Sequence, residues 1–74
     1  MSPRLPNLSA SKTIKAFCQS GFEIVGPPGI HVRLKNLVGI QLIIPNHPGD
    51  LKRPLLKALI KQSGLTEDQF REVL

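Results

Sequence analysis

The stretch GFEIVGPPGIHVRLKNLVGIQLIIP, residues 21–45, contains three short extended segments and two breaks. Its middle segment, IHVRL (30–34), alternates strictly between apolar and polar residues. That period of two is the mark of a strand with one buried face. Ile30, Val32 and Leu34 fall on one side, His31 and Arg33 on the other, and Lys35 extends the polar side. FEIV (22–25) alternates more weakly and predicts a first strand. IQLIIP (40–45) predicts a third, apolar enough to be central in its sheet. GPPG (26–29) and KNLVG (35–39) break the pattern, because proline cannot donate to a ladder and glycine admits a turn. With connections this short, the natural assembly is a three-stranded antiparallel meander.

Helical patterns flank the strands. SASKTIKAFCQSG (9–21) predicts a helix capped by Ser9 or Ser11, with Ile14, Phe17 and Cys18 as its apolar stripe and Lys12 and Lys15 outward. Pro54 suits the first turn of a second helix, RPLLKALIKQSG (53–64), which buries Leu55, Leu56, Leu59 and Ile60. Arg53, Lys57 and Lys61 recur every four residues and form a basic ridge along it. In LTEDQF (65–70), Thr66 and Gln69 spell a capping box, and Leu65 with Phe70 a hydrophobic staple, so a short third helix follows. Residues 1–8 carry Pro3 and Pro6 without periodicity and are expected to be a flexible lead-in to a single domain over 9–74. The fold class is α+β, in the order α-β-β-β-α with a short extra C-terminal helix. The helices cover one sheet face, because nothing else can bury their stripes. The other face, with His31 and Arg33, is left to solvent or a partner.

Composition narrows the function. The chain has 74 residues and a net charge of +5, and residues 1–65 alone carry +7, from nine cations and two acids. Such an excess points to a polyanionic partner, nucleic acid first. With no Trp or Tyr and three Phe, a base-stacking platform is not expected, so RNA contacts would run through phosphates and sugars. The single Cys18 excludes an internal disulfide, reads as a core residue, and suits a reducing, cytoplasmic setting. MSPRLPNL (1–8) has no apolar core of a secretory signal, and LIIP (42–45) is far too short to span a membrane.

No phosphate-cradling glycine loop, zinc quartet or HExxH is present, and the five acids are scattered, which argues against carboxylate-pair and two-metal chemistry. Histidine remains. RNA can be cut through its own ribose 2′-OH, given a base to take that proton and an acid to protonate the leaving oxygen. Histidine titrates near neutrality and suits either task. Arg33, two residues from His31 on the same strand face, could stabilise the extra charge on phosphorus. His47, in IPNHPGD, could cap or brace the loop before the second helix.

These residues carry a resemblance. GFEIVGPPGIH together with IIPNHPGDLKRPLLKALIKQSGL resembles the HicA toxins of bacterial type II toxin–antitoxin pairs, also called YcfA-like proteins, over about Ser11 to Phe70. The resemblance implies a double-stranded-RNA-binding-domain-like fold and the activity of an mRNA interferase. That is a metal-independent endoribonuclease that cleaves mRNA, inhibits translation and is neutralised by a larger HicB antitoxin. It implies no metal or cofactor. It places His31 at the position of the family's catalytic histidine. It implies that Lys52, Arg53, Lys57 and Lys61, near and along the last main helix, reach RNA phosphates, and Arg33 is grouped with them. The chain departs from the family pattern at Ile30, usually Ser, and at Val32, often a second His. It departs again at Gly26, frequently Arg, and at the Pro27–Pro28 pair. Three readings follow: an endoribonuclease toxin, a non-catalytic RNA- or antitoxin-binding module of the same fold, and a purely protein-interaction domain.

Overall fold

Ser9 opens the first helix by turning its hydroxyl back onto the Lys12 amide, so the first turn does not leave that donor unsatisfied. In the computed structural model, which describes residues 5–27 and 29–74, α1 spans Ala10–Gln19. Strands β1 (Glu23–Val25), β2 (His31–Lys35) and β3 (Gln41–Pro45) follow, then α2 (Arg53–Ser63) and α3 (Glu67–Glu72). The three strands form one antiparallel sheet in the order β1-β2-β3, an open meander with the double-stranded-RNA-binding-like α-β-β-β-α order. Three departures from the sequence reading have physical causes.

First, β2 and not β3 is central. The apolar run of β3 suggested burial on both faces, yet Leu42 and Ile44 are buried while Ile43 is 55% exposed. The run alternates in burial like any half-buried strand. Its edge position also tolerates Pro45, which brings no N–H to a ladder. Second, Ile30 does not join Val32 and Leu34 inside. It precedes the strand and is 74% exposed. Third, the buried side of α1 is rotated: Ala10, Thr13, Ala16 and Phe17 are buried, and Ile14 and Cys18 are only half-buried. Thr13 can sit there because its hydroxyl donates to the Ser9 carbonyl at 2.8 Å.

The lead-in is also a correction. Residues 1–4 lie outside the described residues, but Leu5 and Leu8 are buried in the core. The Leu8 carbonyl accepts from Leu51 N–H at 2.8 Å, and the Leu5 carbonyl accepts from Arg53 Nε at 3.3 Å. Two leucines without helical or strand spacing give no periodic signal, yet a backbone bond to Leu51 in the loop before α2 and a bond from the Arg53 side chain hold them in the core.

Elsewhere the expected local rules operate. The α2 helix begins with Pro54 in its first turn and ends at Gly64, whose φ of +85° is the left-handed conformation that ends helices. Thr66 and Gln69 bond reciprocally as a full capping box, and Phe70 from α3 is buried. The core forms where α1, α2 and α3 close over Leu34, Leu42, Ile44 and Val32. All three phenylalanines meet in it: Phe17 lies edge-on to Phe22, centroids 5.7 Å apart, and tilted against Phe70 at 4.9 Å.

Candidate nucleic-acid interface and histidine site

The open face of the sheet follows from register. Residues directly paired across an antiparallel ladder share a face, and Val32 and Leu34 point to the core. Glu23, Lys35 and Gln41 therefore form one row on the open face, Val25, Arg33 and Ile43 the next, and His31 with Pro45 the last. His31, Arg33 and Lys35 are all exposed. The one acid on this face, Glu23, sits opposite Lys35 at the far end, so His31 and Arg33 share the end of the face that carries no carboxylate.

Arg33 rests against the turn after β1. Its guanidinium lies over Gly26, where an added Cβ would come 2.8 Å from Nη2, and Gly26 has φ +80°. A side chain there meets both a backbone conformation that L-residues avoid and an occupied space. Gly26→Ala is expected to cost about 1 kcal/mol or more, as a substitution whose native backbone the new residue cannot adopt without strain. A lowered thermal midpoint at unchanged helix content would show it, and a midpoint equal to wild type would refute the backbone strain.

The same end of the sheet gathers the loop after β3. The ladder continues one step past the His31–Pro45 pair, with Asn46 N–H donating to the Ile30 carbonyl at 2.6 Å. This bond draws residues 46–49 alongside the turn that carries Gly29 and Ile30. His47, exposed in that loop, places Nδ1 3.1 Å from the Pro48 carbonyl, the bracing role expected of it. Behind the strand, Ser11, Ile14, Ile24, Gly26, Val32 and Asn46 line an open apolar cavity of about 390 Å³, with Pro27 at its rim.

The basic ridge is real but lies on the other layer. Lys52 is the N-cap of α2, and Lys52, Arg53, Lys57 and Lys61 are exposed. The helix is oriented by Gln62, whose Nε2 donates to the Gln41 carbonyl at 2.9 Å. That anchors its C-terminal end at the Lys35–Gln41 end of the sheet, so Lys52 and Arg53 start at the His31 end and Lys61 lies at the opposite one. Structure thus brings Lys52 and Arg53 to the end that holds His31 and Arg33, but not Lys57 or Lys61. Arg53 is partly committed by its bond to Leu5. The ridge lysines have no acidic partner: the ion pairs among the described residues join Arg71 to Glu67 and Asp68 within α3.

Cys18 is excluded as a ready nucleophile. Burial pushes its thiol above the ordinary value, and the Glu23 carboxylate adds to the rise, so the thiolate is scarce at neutral pH. Among the described residues no three His, Cys, Asp or Glu side chains come together as a metal-ligand set, and no helix is long and apolar enough to cross a membrane.

Against this geometry the family comparison is specific. A family model described as the HicA toxin of bacterial toxin–antitoxin systems matches residues 10–65, from the start of α1 to the residue after the α2 cap. The chain belongs to the HicA toxin family. It is thereby the toxin of a toxin–antitoxin system, from a family of generally nuclease-type toxins, with a cognate antitoxin as partner. No curated protein matches the chain. The matched segment contains His31, Arg33, His47 and the whole α2 ridge of this HicA-family toxin, so the family's region and the candidate site coincide.

Proposed function

We propose that this toxin is a metal-independent mRNA interferase, an endoribonuclease that cleaves mRNA in the cytoplasm and so inhibits translation, and that a HicB-type antitoxin neutralises it. The observation that carries this reading is the pairing of His31 with Arg33 on the uncovered face of the central strand. A phosphodiester laid on that face meets a proton-transfer group and a permanent cation together. His31 serves as general acid or base, and Arg33 stabilises the charge that builds on phosphorus. Lys52 and Arg53 extend the phosphate track from the same end of the fold, and Lys57 and Lys61 carry it along α2. Displacement of RNA by a protein with an acidic patch would use the same charges.

A second reading, a catalytically weakened RNA- or antitoxin-binding module, is favoured by one observation. Ile30 stands exposed beside His31 and offers no hydroxyl to the site. The two readings part on cleavage. Induction of the protein in a bacterium, with mapping of new mRNA ends, should give growth arrest and cut transcripts. Arrest without new ends, or no arrest from a folded protein, would support the module.

Phosphate contact has its own signature. For RNA binding by an uncleaving His31→Ala protein, the double change Lys57→Ala and Lys61→Ala should flatten the plot of log affinity against log salt. The expected change is about 0.7 for each phosphate no longer neutralised on a single strand. An unchanged slope would leave these lysines as a solvated helix face.

A further inference from the structure

Cleavage through the 2′-OH needs two proton transfers, and His31 alone supplies one group. We infer that His47 is the second proton-transfer residue, working with His31 as an acid–base pair across one phosphodiester. The inference rests on the reading of this toxin as an RNA-cleaving enzyme and deepens it.

The sheet register places the two residues. His31 is paired directly with Pro45, and the Asn46–Ile30 bond carries the ladder one step further, so His47 follows two residues beyond the partner of His31. Pro45 shares the open face with His31, and the strict in–out alternation ends there: Ile30 and Asn46 are both exposed. His47, the next residue, is exposed at that same end of the sheet. In a regular antiparallel ladder, residues in this diagonal relation lie roughly 7–8 Å apart, and His47 follows two residues after the last paired residue of β3. An in-line displacement puts the entering and leaving oxygens on opposite sides of phosphorus, so the base and the acid must flank the phosphate, and two imidazoles at this spacing can do so.

Hydrogen bonding sets which nitrogen of His47 acts. Only a protonated Nδ1 can donate to a carbonyl, so the bond from His47 Nδ1 to the Pro48 carbonyl leaves the lone pair of the neutral ring on Nε2. His47 Nε2 takes the proton of the 2′-OH. The 2′-oxygen forms its bond to phosphorus, the bond from phosphorus to the 5′-oxygen breaks, and protonated His31 gives its proton to that leaving oxygen. The products are a 2′,3′-cyclic phosphate and a 5′-hydroxyl. One histidine has gained the proton the other lost, and exchange with water resets the pair. The other charged groups at this end are the cations Arg33, Lys52 and Arg53, which suit phosphate contact, and Asp50, whose backbone bridges to Ser9 at the start of α1.

The test compares wild type, His31→Ala, His47→Ala and His47→Asn on a transcript at a cut position mapped for wild type. A second substrate carries sulfur in place of the 5′-oxygen at that bond. Asn presents an N–H where His has Nδ1, so His47→Asn keeps the brace to Pro48 but removes the base. Both His47 variants should fold with wild-type melting and lose about 10²–10⁴-fold in rate. A thiolate leaves without an acid, so the sulfur substrate should restore His31→Ala and not His47→Asn. Wild-type cutting by His47→Asn, with His31→Ala inactive, would overturn the pair and leave the mRNA-interferase reading standing. Rescue of His47→Asn instead of His31→Ala would overturn the assignment of the base. Absence of cutting by wild type on any transcript would overturn the reading and the pair together.

Discussion

His31→Ala is expected to abolish RNA cleavage and growth arrest while leaving the fold and RNA binding intact. The size of the loss follows from the role. A positioned general acid or base contributes about 10²–10⁴-fold, and for a toxin titrated by its antitoxin a loss of that order is enough to erase the phenotype. The fold should survive because His31 is exposed, makes no side-chain hydrogen bond among the described residues and contributes to β2 through its backbone. Alanine keeps that backbone. Surface substitutions of this kind usually stay within about 0.5 kcal/mol. RNA affinity should persist, since the phosphate track of Arg33, Lys52, Lys57 and Lys61 is untouched. The measurement is a time course of cleavage beside a thermal melt and a binding isotherm, all on the same two preparations. A variant that melts and binds like wild type but does not cut assigns the chemistry to His31. One that cuts at the wild-type rate removes the mechanism.

How much of the molecule is legible in its sequence depends on whether a residue's position obeys a period. The open-face placement of His31, Arg33 and Lys35 is legible because strand alternation is strict, and burial follows it residue by residue. The α2 ridge and the Thr66–Gln69 box are legible for the same reason, each being a fixed spacing with one physical meaning. Ile30 is misplaced by the pattern because alternation says nothing about where a strand begins, and here the ladder's first pair is His31 with Pro45. Apolarity alone puts β3 wrongly at the centre, although a meander with short connections already sets the second strand in the middle. Leu5 and Leu8 cannot be found by period. Their burial depends on a backbone bond from Leu51 and a side-chain bond from Arg53 that each span more than forty residues. The site shows the same division. His31 is found from the strand, whereas the proposal that His47 works beside it needs the β2–β3 register. The Lys35–Gln41 pairing across the Asn36–Ile40 turn sets that register, and a count across the turn could have supplied it. The rest of Arg33 on Gly26 is a side-chain packing choice that no spacing encodes.

Phe17→Ala is the change expected to cost the fold most. Phe17 is fully buried and touches the other two rings of the chain, Phe22 at the start of the sheet and Phe70 on α3. Truncating a buried phenylalanine costs about 3–5 kcal/mol. That cost already contains the two ring-on-ring pairings that disappear with it. A domain of this length holds in total roughly 4–11 kcal/mol, at the usual stability per residue. The substitution therefore takes away about a quarter of the stability at the least and all of it at the most. At roughly 4–8 °C per kcal/mol, the thermal midpoint should fall by more than about 12 °C. Leu37→Ala is the contrast: Leu37 is equally apolar but fully exposed in the β2–β3 turn, and its loss should move the midpoint by little. A Phe17→Ala protein that melts within a few degrees of wild type would refute the packing of α1 and α3 through one ring. The pair of phenylalanine and histidine variants also guards the functional conclusion. Both should lose growth arrest, one through depletion of its folded form and the other because it lacks the proposed proton-transfer group. Only the second should still bind RNA and still occupy the antitoxin, so a loss of arrest supports catalysis by His31 only where that binding is retained.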